Sequence, residues 1–219
     1  MPDGREAVDI LEQIAASVIE GKLEGIQELT RAALDRGQDP QAILNRSLMT
    51  GMQHVGEQFK AGEMFVPEVL RSARAMQSSM DVLRPLLVES GASMMGKVLI
   101  GTVRGDLHDI GKNLVGIMCE GAGFEVRDLG RDIAPEQFVA QVEEFQPDVL
   151  GMSALLTTTM REMEHTLTAL EKAGLRKKVK VMIGGAPITQ EFADTIGADG
   201  YASNAVAAAD LAKHLSDTA

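Results

Sequence analysis

The residues of this chain best suited to chemistry are Asp106 and His108, in the run Arg104-Gly105-Asp106-Leu107-His108-Asp109-Ile110-Gly111. They follow an apolar, β-rich segment, Val98 to Val103. A carboxylate and an imidazole are thus delivered to a loop at a strand end, where rigid scaffolds place reactive groups. A histidine two residues from an aspartate can ligate a metal through one ring nitrogen while a carboxylate holds the other. A plain hydrogen-bonded turn uses the same residues. Two other loops follow apolar runs. One is Ser153-Ala154-Leu155-Leu156-Thr157-Thr158-Thr159, whose hydroxyls could cap a helix. The other is Gly184-Gly185-Ala186-Pro187, which could be a tight turn.

A bare metal ion is poorly served. His108 has no second His or Cys at ligand spacing, and His54, His165 and His214 fall on predicted helices as surface or interhelical residues. The single cysteine, Cys119, excludes an internal disulfide or a thiolate cluster and reads as a small buried hydrophobe. One protein nitrogen suffices only when a macrocycle supplies the remaining ligands, as in haem or a corrinoid. The glycines fit neither G-x-G-x-x-G nor a P-loop, so dinucleotide or nucleoside triphosphate binding is not supported.

These loops need elements to hold them. Before residue 90 the pattern is helical. Ala7, Ile10, Leu11, Ile14 and Val18 mark a first amphipathic helix, and Ile26, Leu29, Ala33 and Leu34 a second, ended by Gly37. Asp39-Pro40 reads as an N-cap and first-turn proline for a third helix running to Val55. Gly56 to Gly62 is a weak, glycine-bounded stretch, and a fourth helix follows Pro67. The expectation is a four-helix bundle over residues 1–88, a linker over 89–96 and an α/β domain over 97–219. In the latter, strands at 97–103, 124–129, 148–152, 179–183 and 199–201 alternate with helices at 110–121, 135–145, 159–173, 189–196 and 204–215. That alternation predicts a five-stranded, parallel, doubly wound sheet of flavodoxin or Rossmann type. In the order 2-1-3-4-5, strands one, three and four are neighbours, and the three loops line one crevice.

Composition narrows the class. The 219 residues are 45% hydrophobic but only 3% aromatic, with no Trp and 13 Met, so the core is aliphatic and Met-rich. A net charge of −11 opposes nucleic-acid binding, which draws on Lys and Arg, and opposes an anionic membrane surface. No apolar segment follows Met1-Pro2-Asp3-Gly4-Arg5-Glu6 as in a signal peptide, and no apolar run approaches the ~20 residues that span a bilayer. The expectation is a cytoplasmic protein with no membrane or nucleic-acid partner.

Asp106-x-His108-x-x-Gly111, then Ser153-x-Leu155, then Gly184-Gly185 resembles the cobalamin-binding signature of cobalamin-dependent methionine synthase and of small corrinoid proteins in methyltransferase systems. Gly51, Gly56, Phe59, Gly62, Phe65, Pro67 and Ala73 resemble the helical cap that precedes that domain, so the resemblance covers nearly the whole chain. It implies cobalamin bound base-off, with His108 as the axial ligand to cobalt. Asp106 would accept a hydrogen bond from the other imidazole nitrogen, with the Thr159 hydroxyl behind it where the family has Ser. This His–Asp–hydroxyl relay would couple ligand exchange to proton uptake. The loop residues Gly105, Leu107, Asp109, Ile110 and Gly111 would face the cofactor. Ser153, Leu155, Thr157, Gly184, Gly185 and Ala186 would line a channel for its nucleotide tail, with Tyr201 near the far end. Phe59 and Val66 would shield the upper face.

The resemblance implies a methyl carrier, a non-catalytic component of a methyltransferase system. Its partners would be a substrate:corrinoid methyltransferase, a second methyltransferase acting on tetrahydrofolate or coenzyme M, and a reductive activase. The alternatives are a cobalamin-binding subunit of a mutase and a cobalamin-dependent sensor or regulator. A corrinoid-free flavodoxin-like domain is a further alternative.

Overall fold

The computed structural model describes residues 9–89 and 95–217, which divide into two compact units at residues 93 and 94. The first unit is helical. α1 (Ile10–Ile19) is capped by the Asp9 carboxylate, which accepts from the Leu11 N–H at 3.2 Å. α2 is Ile26–Asp35, and Gly37 follows it at φ +80°. The expected Asp39-Pro40 start is present: Asp39 accepts from the Ala42 N–H at 3.1 Å and Pro40 opens α3 (Pro40–Ile43). The helical run then passes through a π-turn, Leu44–Met49, into α4 (Thr50–Ala61).

The Gly56 to Gly62 stretch is therefore not a break. Gly56 is buried inside α4, and only Gly62, at φ +76°, ends it. α5 (Val66–Glu89) starts with Pro67 in its first turn, where a missing N–H costs nothing. The helical runs thus number four among the described residues, packed through Ile14, Val18, Ile26, Leu48, Val55 and Leu83. α5 reaches past the expected boundary at 88. Of the expected 89–96 linker, residues 90–94 lie outside the described residues. Gly96 already belongs to the second unit, its carbonyl accepting from Glu125.

The second unit runs β1 (Lys97–Thr102), α6 (Ile110–Gly121), β2 (Glu125–Asp128), α7 (Pro135–Phe145), β3 (Val149–Ser153), α8 (Arg161–Lys172), β4 (Lys180–Gly184), α9 (Gln190–Ile196), β5 (Gly200–Ala202) and α10 (Ala205–Ser216). All strands are parallel in the order β2-β1-β3-β4-β5, as the loop argument required. β1 is buried on both faces, which is why it reads as an unbroken apolar run. Leu99, Phe138, Leu150, Met163, Leu167 and Val181 centre the core on the α7/α8 side of the sheet. Among the described residues, no helix is long and apolar enough to cross a membrane.

Candidate functional site

Parallel strands put all the sheet's carboxyl ends on one edge, and the chemistry gathers there. Asp106 is its hub. Its side chain is 0% exposed. Oδ1 accepts from the His108 backbone N–H at 3.1 Å and from His108 Nδ1 at 2.8 Å. Oδ2 accepts from the Leu155 N–H at 2.7 Å, the Leu156 N–H at 3.2 Å and the Thr159 hydroxyl at 2.8 Å. Burial by itself would raise the pKa of this carboxyl. The donations from Leu155, His108 and Thr159 outweigh it and hold Asp106 well below the usual carboxylate range.

A carboxylate with only donors around it fixes the imidazole. His108 Nδ1 carries the proton facing this carboxylate, so in the neutral ring it is Nε2 that keeps the lone pair. The ring is 53% exposed, which leaves Nε2 available to a ligand. The loop itself is stiff: the Thr102 hydroxyl donates to the His108 carbonyl at 2.9 Å. Gly105 sits at φ +76°, and the Thr159 Cγ2 methyl lies 3.6 Å from where a Cβ would stand. Thr159 is thus accommodated with its methyl toward Gly105 and its hydroxyl on Asp106. That hydroxyl also lies 2.9 Å from the Leu156 carbonyl, so its one proton has two acceptors.

The three expected loops do converge. Through the strand register, Thr102, Ser153, Gly184 and Ala202 form one row across β1, β3, β4 and β5. Laterally paired residues share a face, so three adjacent strands present small side chains there. Gly185, at φ +136°, has a reason within the protein: a Cβ would collide with the Ala154 carbonyl. Thr157 and Ala186 are exposed. Tyr201, on β5, pairs with Ile183 of β4 and is half-buried against the core. Asp109 caps α6 without a side-chain bond, and nothing lies within 4 Å of a Cβ built at Gly111.

Around His108 the surface is unexpectedly apolar. Leu107, Ile110, Leu155 and Leu156 are all exposed, Ile110 by 75%. An exposed apolar rim of this kind marks a binding surface. Among the described residues, no group of three or more His, Cys, Asp or Glu could hold a metal ion. His54, His165 and His214 are exposed on helices, as expected. Cys119 is buried, and burial first, with Glu120 beside it, pushes its thiol up to about 12, so it is inert. One free nitrogen, an apolar rim and a row of small residues fit a large flat macrocycle that brings its own equatorial ligands.

The comparisons with known proteins agree with that geometry. Two models, each described as a B12 binding domain, match residues 96–210 and residues 10–84. The dimethylamine corrinoid protein 1 of Methanosarcina acetivorans is 44% identical over 94% of this chain and 97% of that protein. The chain belongs to the B12-binding corrinoid protein family. Its cofactor is a corrinoid of the cobalamin type. A trimethylamine corrinoid protein 2 of the same organism is also 44% identical, over 94% of this chain and 95% of that one. In three dimensions, the chain matches the methanol:cobalamin methyltransferase complex MtaBC of Methanosarcina barkeri with a TM-score of 0.86 and 31% identity. That match covers 97% of this chain and 81% of the other.

Within the helical unit, Phe59 and Val66 are half-buried. Phe65 is 68% exposed, so it is not a bundle-core residue. Sequence reasoning missed the loop after β2, Leu129 to Ile133, which touches the His108 loop at Gly105 and Asp106. The signal was present: β2 ends on the same edge and neighbours β1 in the order 2-1-3-4-5. It also missed Lys112, a buried lysine on the first turn of α6 that pairs with Asp128 and donates to Asn113 at 2.7 Å.

Proposed function

We propose that this chain is the methyl-carrying corrinoid component of a methyltransferase system. The observation that carries the reading is the His108–Asp106–Thr159 chain, with a free Nε2 at the strand edge. The near full-length likeness to methylamine corrinoid proteins supports it. The bound corrinoid supplies a cobalt centre able to take up and release a methyl group.

The protein's own residues do the rest. His108 would hold the corrinoid's cobalt through Nε2, and Asp106 holds the ring in the tautomer that leaves this nitrogen free. Nε2 is the one ring nitrogen that Asp106 does not engage, and so the atom of this chain that would either hold the metal or carry a proton. The buried carboxylate of Asp106 orients the ring, and the Thr159 hydroxyl donates to the same carboxylate. Gly105, Leu107, Asp109, Ile110 and Gly111 would contact the macrocycle. Ser153, Leu155, Thr157, Gly184, Gly185 and Ala186, with Tyr201, would receive the nucleotide tail. By the resemblance, Phe59 and Val66 of the helical unit would be the residues that keep water from the methyl group.

The partners are a substrate:corrinoid methyltransferase, a second methyltransferase delivering to tetrahydrofolate or coenzyme M, and a reductive activase. The test is a transfer assay. Cobalamin-loaded protein is incubated with methyltransferases for dimethylamine, trimethylamine and methanol, then with an acceptor methyltransferase. Stoichiometric, His108-dependent passage of label from one donor to tetrahydrofolate or coenzyme M is expected. Tight adenosylcobalamin binding with radical turnover, and no methyl uptake from any donor, contradicts the reading.

A further inference from the structure

We infer that Asp132, on the loop after β2, is a positioning residue that sets how well His108 serves as a ligand; this rests on the carrier reading above. Asp132 grips the His108 loop twice. Its carboxylate accepts from the Gly105 N–H at 2.7 Å, and its own N–H donates to the Asp106 carbonyl at 3.1 Å. The two bonds bracket the peptide immediately before Leu107-His108. Asp106 is therefore held from two sides. The loop after β3 fixes its carboxylate, and the loop after β2 fixes its backbone.

The conformation of Asp132 supports a specific role. It sits at φ +58°, a left-handed backbone that is uncommon outside glycine. Aspartate tolerates this region better than most residues. The loop that imposes it is tied down at both ends. The Gly130 N–H donates to Asp128 Oδ1 at 2.8 Å, and its carbonyl accepts from Thr102 at 2.9 Å. The other oxygen of Asp128 pairs with the buried Lys112, at the start of α6. Beyond Asp132, the Ile133 N–H donates to the Thr102 carbonyl at 3.0 Å. Thr102 in turn holds the His108 carbonyl. Lys112, Asp128, Gly130 and Asp132 thus form a brace with the His108 loop at its end.

The brace predicts a specific consequence. Without the Asp132 carboxylate the Gly105–Asp106 peptide can turn. His108 then samples orientations in which Nε2 misses cobalt. Asp132→Gly is the informative variant, because glycine keeps the left-handed backbone and the N–H to Asp106 while losing the carboxylate. Asp132→Asn keeps an acceptor for Gly105.

Cobalamin-loaded protein is reduced to the Co(II) state at fixed pH, and the ratio of His-on to His-off signal is read by EPR, alongside thermal unfolding. Asp132→Gly is expected to lower that ratio about tenfold with little change in unfolding temperature, and Asp132→Asn to restore it to within about threefold of wild type, since one hydrogen bond corresponds to roughly a factor of ten. A ratio unchanged in Asp132→Gly, or lowered equally in Asp132→Asn, overturns the inference while leaving the His108 assignment intact. Wild type without nitrogen coupling overturns the carrier reading instead.

Discussion

Asp106→Asn is nearly isosteric, yet it should cost the cofactor-free protein on the order of 3 kcal/mol. The carboxylate accepts five hydrogen bonds. A bond to a charged group contributes about 1 kcal/mol more than a neutral one, so neutralising the acceptor weakens each by roughly that amount. The new NH2 must also face a donor. At the Oδ1 position it meets the His108 N–H, and at the Oδ2 position it meets the Leu155 and Leu156 N–H groups. One buried, unsatisfied donor adds about 1–3 kcal/mol. Relief from burying a charge works in the opposite direction and recovers several kcal/mol.

An NH2 at Oδ1 further drives the His108 proton from Nδ1 to Nε2, which removes the ligating lone pair. The chain has one Tyr and no Trp, and Tyr201 lies on β5. Tyrosine fluorescence during urea unfolding therefore reports the α/β unit alone. The ring tautomer can be read by nitrogen NMR. A stability change below about 1 kcal/mol, with the Nδ1–H tautomer retained, would refute the claim that Asp106 is ionised and sets the tautomer.

Because Asp106 has a depressed folded-state pKa, its stabilisation is fully present above the unfolded value of about 3.9 and is lost as pH falls toward the folded value. The stability gap between wild type and Asp106→Asn should accordingly narrow below about pH 4 in urea titrations. Thr159→Val removes one of the donors on Asp106 and should cost about 1–2 kcal/mol by the same unfolding assay, whereas Thr159→Ser should cost less than about 1 kcal/mol. Gly185→Ala should destabilise by more than about 3 kcal/mol, or prevent folding of the α/β unit, because its Cβ meets the Ala154 carbonyl. Gly111→Ala, with open space around it, should gain about 0.5–1 kcal/mol in helix stability and lose corrinoid affinity in a cobalamin titration.

The sheet was readable because its signals are local and redundant. Lys97–Thr102 is apolar on both faces, and each strand is followed by a helix of the right period, so parallel strands with all their carboxyl ends on one edge followed from crossover handedness, whereas the order that makes the three loops neighbours was an assumption that the structure bears out. Spacing singled out Asp106 and His108 but left a plain turn open, and the resemblance supplied the hydrogen bond between them that the structure contains. The five-fold donation to Asp106 was not, since the Leu155 and Leu156 contributions come from backbone N–H groups that any residue type would carry. The third helical run was readable through the π-turn at Leu44–Met49 as far as Val55, but Gly56 looked like a break because an interior helical glycine resembles a terminal one in sequence. Asp132 was missed because its role depends on a left-handed backbone that no composition or periodicity signals.

The central claim is that His108 ligates cobalt through Nε2. The direct measurement is EPR of the Co(II) protein reconstituted with cobalamin and carrying nitrogen-15 in its histidine imidazoles, wild type against His108→Ala. The account predicts superhyperfine splitting from one labelled nitrogen in wild type and none in His108→Ala. Splitting absent from wild type, or persisting in His108→Ala, contradicts it.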